Sequence, residues 1–513
     1  MRPIDRWFDL PGDRAIVLLL LVFVVAWTAF HVVSRASVDL HPDLLEIYAW
    51  SRHPVAGYYK HPPLGAWVAW LWFAIFPIAD WSFDLLTMVN AAVALFATDR
   101  IARLYLTGDK RLLVLLLLLL TPFYQFHAQR FGANPILLAP WPIATWCFLR
   151  AFKTHHIGWS AAAGAAAGVA MLGKYYSVYL VAAFILAALA HPDRWSYLRS
   201  ASPWISIAAG LLVLAPHLQW VTATAFTPFA YVYLVHGGTS LAENIASVGS
   251  YLLGSMGYIG LPVVVYCLLV RPDRASLMQT LWPSNPDHRM LVILLGSMVL
   301  LPAISAPFLS VALTSLWTMP AWFLLPIVLL APVPYAASSS SKQGMTREKA
   351  IGLAAIVLVI SVGALLAAPF VALSRQLYGS KYSQGSYRLL TREVMRGWRR
   401  HTDRPLTIAM GGQDLADALT FYSEDHPDAV PEFNLRLAPW VTAERMKREG
   451  YVVVCDDPGC VAAAERQAPS GLQIIRRDVE VTRRYLWFEG RPAHFAVILF
   501  PPPSPSRGSE PAS

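Results

Sequence analysis

Between Val38 and Trp72 the chain reads VDLHPDLLEIYAWSRHPVAGYYKHPPLGAWVAWLW. This stretch gathers Asp39, His41, Asp43, Glu46, Arg52, His53, Lys60 and His61, interleaved with Tyr48, Trp50, Tyr58 and Tyr59. An ionisable side chain costs about 2.5–3.5 kcal/mol at a helix centre in a bilayer. So dense a cluster beside an apolar segment therefore lies at an interface or lines a wet cavity. Carboxylates, a cation and aromatic rings are what a site for a sugar carried on a lipid phosphate needs. The same residues also fit an ordinary polar loop with an aromatic belt.

Transfer of such a sugar to a hydroxyl requires a carboxylate that accepts the acceptor's proton as the sugar–phosphate bond breaks. Asp43 and Asp39 are the candidates. Asp43 also precedes an apolar-periodic run, where its side chain would cap a helix. Lys60 and His61, just before Pro62 and Pro63, could neutralise a phosphate or snorkel to head groups. Lys174 stands between two apolar runs at the rim of the membrane, as a phosphate contact or as a charged hinge. Arg130 and Asn134, in HAQRFGANP, could reach the same cavity or form a plain turn. His127, His217 and His236 are isolated, and there is neither an HExxH nor a paired-cysteine pattern, so a structural metal has little support. No glycine pattern for a nucleotide is present either. Trp317, Pro320 and Trp322 read as packing.

The elements that must hold these residues are membrane spans. Of 513 residues, 56% are hydrophobic and 14% charged, against about 25% charged in soluble domains. The formal charge of +9 comes mainly from Lys and Arg in short loops and the C-terminal tract. That follows the positive-inside rule rather than a nucleic-acid groove. About eleven spans fit: Ala15–Val33, Trp81–Leu104, Leu112–Ala128, Pro135–Phe148, the AAAGAAAGVAML run, Tyr175–Leu189, Pro203–Trp220, Gly249–Val270, Met290–Ala306, Leu313–Pro332 and Ala350–Phe370. The first is read as a retained span after a cytoplasmic N-terminus. The odd number puts the C-terminus outside, and every internal loop agrees on Lys/Arg bias. Gly164 and Gly168 form a small-xxx-small pair that lets helix backbones approach. HPPLGAWVAWLWFAIFP suggests a short interfacial helix with the prolines in its first turn.

The expected organisation is an all-α polytopic membrane domain over 1–373 with a first periplasmic loop at 35–80, a small α/β domain over 374–500, and a disordered tail over 501–513. A Ser-rich basic linker, PYAASSSSKQGMTREK, joins the last two spans. In the α/β domain, runs such as PLTIAMGG, GYVVVCDD and AHFAVILF read as strands, and DLADALTFYS and TAERMKREG as helices. Four cysteines are too few for a disulfide scaffold. Cys455 and Cys460 flank a turn-prone DDPG, which leaves a disulfide and two free thiols both open.

Three motifs in order, DLHPD…YAWSRHPVAGYYKHPPLGAWVAW, RFGANPILLAPWPIATWCFLRAF and GAAAGVAMLGKYYSVYL, resemble the polyprenyl-phosphate-sugar glycosyltransferases of GT-C fold. The resemblance runs from about residue 10 to 330. It points to the bacterial dolichyl-phosphate-mannose–protein mannosyltransferase-like group (family 39), which includes the lipid A aminoarabinose transferase and rhizobial galacturonosyltransferases of lipopolysaccharide core. It implies a bacterial inner-membrane enzyme that moves a sugar from a polyprenyl phosphate to a lipid or polysaccharide acceptor on the periplasmic face. Membrane lipids are then partners and nucleic acid is not. No cofactor is implied, although a divalent cation stays open.

Carried across residue by residue, the family's first-loop aspartate falls on Asp43. Leu44 stands where relatives commonly have Glu, and Asp39 or Glu46 could compensate. The basic residue before the double proline falls on His61, with Lys60 where relatives often carry an acid and Tyr58 and Tyr59 just before it. The lysine after the small-residue helix falls on Lys174. Lys60, His61 and Lys174 would hold the donor phosphate, Arg130 standing near. Two readings of another class, a lipid-carrier flippase and a non-catalytic envelope assembly factor, predict respectively inverted repeats, of which none is convincing, and a lost catalytic group, for which Leu44 is the only support.

Overall fold

The computed structural model describes residues 3–237, 240–333, 345–379, 386–467 and 473–503. The Ser-rich part of the expected linker and nearly all of the expected tail lie outside them. The chain divides into two compact units. One takes in Met1–Phe30, Val55–Gly65 and Phe83–Leu366, and the other His31–Pro54, Ala66–Ser82 and Ala367–Ser513. The unit that holds the C-terminal sheet thus also takes in most of the expected first loop.

Among the described residues seven helices are long and apolar enough to cross a membrane: Arg14–Ser34, Asp80–Tyr105, Pro135–Thr154, Ser202–Ala223, Leu241–Val270, Pro286–Leu309 and Arg347–Tyr378. Each matches one of the eleven expected segments. Two more segments are shorter helices, Ile157–Gly173 and Tyr175–Ala190. The remaining two, 112–128 and 313–332, are interrupted. The first is helical over Lys110–Leu118 and then passes into a π-turn at Phe123–His127. Its break falls where Pro122 would clash with the carbonyl four residues back. The second is two 3-10 turns, Ser315–Thr318 and Trp322–Leu324, and the helix Leu325–Leu330. Irregular backbone at membrane depth is tolerated only where protein surrounds it. Both segments meet that condition: Leu112–Leu118, Phe123, Trp317 and Met319–Leu324 are buried.

The small-residue pair does what its spacing implies. A Cβ on Gly164 would stand 1.9 Å from the carbonyl oxygen of Ser206, and one on Gly168 would stand 3.1 Å from that of Gly210. Ile157–Gly173 and Ser202–Ala223 therefore pack backbone to backbone, and the Ser160 and Ser202 hydroxyls bond across at 2.8 Å. Gly164→Val forces these backbones apart. Overpacking of this kind costs roughly 1–3 kcal/mol, so the variant's unfolding midpoint in detergent should fall clearly below that of wild type; an unchanged midpoint would show that the close approach is not needed.

In the second unit five strands form one sheet in the order β2-β1-β3-β5-β4. They are β1 (Ile408–Gly411), β2 (Asp428–Pro431), β3 (Tyr451–Cys455), β4 (Ile475–Tyr485) and β5 (Phe488–Phe500). The first three run parallel and β5 and β4 are antiparallel. The helix Gln413–Tyr422 packs on this sheet and also on the first-loop helix Pro42–Ser51, where Ala49, Ala416 and Ala429 are buried together. Small residues at the contact let the helices and strand approach closely. A disulfide joins Cys455, at the end of β3, to Cys460 in the first turn of Pro458–Arg466.

Candidate functional site

The first unit collects the cationic candidates. Lys174 ends the helix Ile157–Gly173 in extended backbone (φ −164°, ψ 138°), so its side chain leaves the helix axis. Its Nζ donates to Asn134 Oδ1 at 2.7 Å and lies 4.3 Å from the centroid of Trp317. A ring face attracts a cation through its quadrupole. Trp317, which reads as packing in the sequence, is thus half of the seat for this lysine. Desolvation lowers the Lys174 ammonium to about 7.

Lys60 and His61 come to the same cluster from the strap 55–65. Lys60 Nζ stands 5.3 Å from the Tyr59 ring and 5.9 Å from that of Tyr231, and His61 meets Tyr231 edge-on at 6.1 Å. Burial first, and then the charges of Lys174, Lys60 and His236, push the His61 imidazole down to about 3. His61 is therefore neutral near pH 7. It offers a phosphate an N–H and adds no charge, a narrower role than that of a cation.

The strap is held by its neighbours. His217 Nδ1 donates to the Ala56 carbonyl at 2.7 Å. In a neutral ring Nε2 then accepts, so the Tyr175 hydroxyl donates to it at 2.9 Å. This chain ties the residue after Lys174 to the strap that carries Lys60. A Cβ on Gly57 would lie 2.3 Å from the Trp220 ring, so only glycine lets the strap rest there. Tyr58 is buried, and its N–H bonds the His61 carbonyl at 3.2 Å. That bond closes the turn that presents Lys60. Arg130 is exposed on the turn after Phe123–His127, where its charge acts on His127.

The carboxylate candidates lie in the other unit. His41 caps the helix Pro42–Ser51, its Nδ1 accepting the Asp43 N–H at 3.2 Å. Asp43 is therefore not the cap but a first-turn residue, and its side chain is 53% exposed.

Glu46, one turn on, is buried and accepts a hydrogen bond from Gln413 Nε2. Asp39 is buried too. It accepts the Arg388 N–H at 3.1 Å, with the Arg388 guanidinium 3.7 Å away. That guanidinium also bonds Asp80 and lies 5.1 Å over the Tyr422 ring. Burial pushes the Asp39 carboxyl up to about 6; Arg388 opposes this and Asp80 adds to it. Sequence reasoning does not reach Arg388, Asp80, Tyr422 or Gln413. They stand far from the first loop along the chain or at the start of a span, and nothing local marks them.

Among the described residues no group of three or more His, Cys, Asp or Glu is placed to hold a metal ion.

Residues 60–220 match the model of the family described as dolichyl-phosphate-mannose-protein mannosyltransferase. That range contains Lys60, His61, Arg130, Asn134 and Lys174, and begins after the three carboxylates. The chain is 26% identical over 342 residues to the lipopolysaccharide core galacturonosyltransferase RgtB of Rhizobium johnstonii, a match covering 64% of this chain and 67% of that protein. It is 23% identical over 262 residues to the lipid A galacturonosyltransferase RgtD of the same organism, covering 48% and 53%. The chain thus spans about two thirds and about half the lengths of these relatives. The crystal structure of ArnT from Cupriavidus metallidurans bound to undecaprenyl phosphate superposes with a TM-score of 0.59 at 14% identity, over 95% of this chain and 98% of that one. These findings and the seven long apolar helices among the described residues make the chain a multi-pass membrane protein of ArnT-like GT-C fold, in which residues 60–220 match the dolichyl-phosphate-mannose-protein mannosyltransferase family model.

Proposed function

We propose that this protein is a bacterial inner-membrane glycosyltransferase that moves a sugar from a polyprenyl phosphate to lipid A or lipopolysaccharide core on the periplasmic face. The observation that carries the reading is the cluster of Lys60 and Lys174 around neutral His61, with Tyr59, Tyr231 and Trp317 as aromatic neighbours. Two lysines beside a neutral hydrogen-bond donor suit a phosphate leaving group, and they stand in the region that matches the family. The disulfide of the sheet domain suits an oxidising compartment and so supports the periplasmic orientation.

In the reaction, the acceptor hydroxyl attacks the anomeric carbon and passes its proton to Asp43. The bond from that carbon to the phosphate oxygen breaks, and its electron pair leaves with the polyprenyl phosphate. The two lysines stabilise the charge that develops there. A single in-line displacement inverts the anomeric centre and needs no covalent intermediate. Tyr58 shapes the strap and Tyr59 flanks Lys60.

The test is purified protein in nanodiscs with a polyprenyl-phosphate sugar and lipid A or core acceptor. Transfer should release one polyprenyl phosphate per sugar moved. In a strain lacking the gene, mass spectrometry should show lipid A or core short of one glycosyl residue. Unchanged glycolipids together with no transfer from any polyprenyl-phosphate sugar would overturn the reading.

A further inference from the structure

The antiparallel hairpin of β4 and β5 ends in a two-residue turn, Leu486–Trp487, between the paired Tyr485 and Phe488. Both turn residues are exposed, Leu486 at 65% and Trp487 at 79%. Leu486 also has φ +55°, a left-handed conformation that favours glycine or asparagine and is strained for a bulky side chain. Turn chemistry alone therefore does not account for Leu and Trp here. Exposed Arg484 and Arg491 flank the tip, Arg484 paired with Glu489.

The tip is also tied to the end of a membrane span. Gln376 is buried in the last turns of Arg347–Tyr378, and its Nε2 donates to the Arg483 carbonyl at 3.1 Å and to the Phe488 carbonyl at 3.0 Å. Arg483 Nη2 donates in return to the Arg375 carbonyl at 3.0 Å, which also accepts the Gly379 N–H at 3.1 Å. Gln376 stands two residues past Ser374, which closes an uncharged run that starts at Ala350. The hydrogen-bonded part of the hairpin is thus at the level where this span leaves the hydrocarbon. Leu486 and Trp487 project from the same end of the hairpin, one to three residues further along.

We infer that the Leu486–Trp487 tip is a membrane anchor. It seats its apolar pair in the interfacial layer of the leaflet at which the span ends, with Arg484 and Arg491 among lipid phosphates. Three observations select lipid as the occupant. Tryptophan is favoured at the interface because its body is apolar and its N–H is polar. The flanking arginines complement phosphate. The hydrogen bonds to Arg375 and Gln376 hold the tip at interfacial depth. The anchor fixes the height of the β4–β5 hairpin over the bilayer independently of any substrate.

The experiment is spin-label accessibility in the full-length protein in phospholipid nanodiscs. Cys147→Ser and Cys267→Ser remove the free thiols and leave the Cys455–Cys460 disulfide. A nitroxide is then attached at Leu486→Cys, at Trp487→Cys, or at Asp478→Cys, which lies on the same hairpin with an 83% exposed side chain. At 486 and 487 the ratio of collisions with oxygen to collisions with a water-soluble nickel chelate should be severalfold higher than at 478. A tip as accessible to the nickel chelate as residue 478 overturns the anchor in favour of water. A tip shielded from both reagents overturns it in favour of a protein contact, such as a second copy of the chain. Two labelling positions, each leaving the other apolar residue in place, keep the result independent of the loss of either side chain.

Discussion

Asp43→Asn should lower sugar transfer by about a hundred- to ten-thousandfold, the range for loss of a general base, with the amount of folded protein unchanged. The structure separates this effect from a structural one. The cap of Pro42–Ser51 is His41, so the substitution leaves the helix start intact. The Asp43 side chain is exposed and on a first turn, where asparagine fits without new burial. What disappears is the acceptor of the proton. The measurement is the transfer rate of purified wild type and variant in nanodiscs at saturating donor; equal rates would end the assignment.

Asp39 would then be next, and it carries its own signature. Its carboxyl is pushed up to about 6, and a base works only when ionised. If Asp39 accepted the proton, the rate would fall as pH drops through about 6, and Asp39→Asn would abolish that limb. Asp39→Asn also takes one of two carboxylates from beside Arg388, so its effect is read from the pH limb and not from the rate alone.

Lys174→Met should act on the donor. A hydrogen bond to a charged group contributes about 1.5–3 kcal/mol, so KM for the polyprenyl-phosphate sugar should rise about ten- to hundredfold, and kcat should fall as far as the lysine stabilises the leaving phosphate. The wild-type pH profile follows from the lowered ammonium, at about 7 in the empty site. A phosphate binds the protonated form. As pH rises through about 7, the free enzyme loses that proton, and KM for the donor should climb while the protonated complex persists. Arginine stays charged throughout this range, so Lys174→Arg should flatten the profile even if its geometry weakens binding. A Met variant with wild-type KM and an unaltered pH profile would remove Lys174 from the phosphate site. His61→Gln is the useful companion: with a neutral imidazole, replacement by another neutral donor should leave the profile in place.

Whatever depended on short-range pattern was legible in the sequence. Spans follow from uninterrupted apolar runs, and seven of those expected appear as long helices. Strands β1, β3 and β5 follow from β-branched apolar runs, the disulfide is one of two open readings of a pair five residues apart, and the approach at Gly164 follows from small residues one turn apart. Strand β2 is not legible in this way. It is the four residues Asp428–Pro431, made a strand by pairing in parallel with β1. Strand β4, IRRDVEVTRRY, hides behind its charges, because only Val479 and Val481 turn fully inward.

Tertiary structure alone decided the partners. Arg388 meets Asp39 across 349 residues and Gln413 meets Glu46 across 367. Trp317 becomes a seat for Lys174 only when a segment without helical regularity is buried beside it. The motif order marked the cationic and carboxylate positions, but their electrostatics came from folding. Lys174 and His61 are pushed toward neutrality, and Asp39 toward protonation, because packing strips water from each. Desolvation belongs to a three-dimensional environment, and no spacing along the chain encodes it.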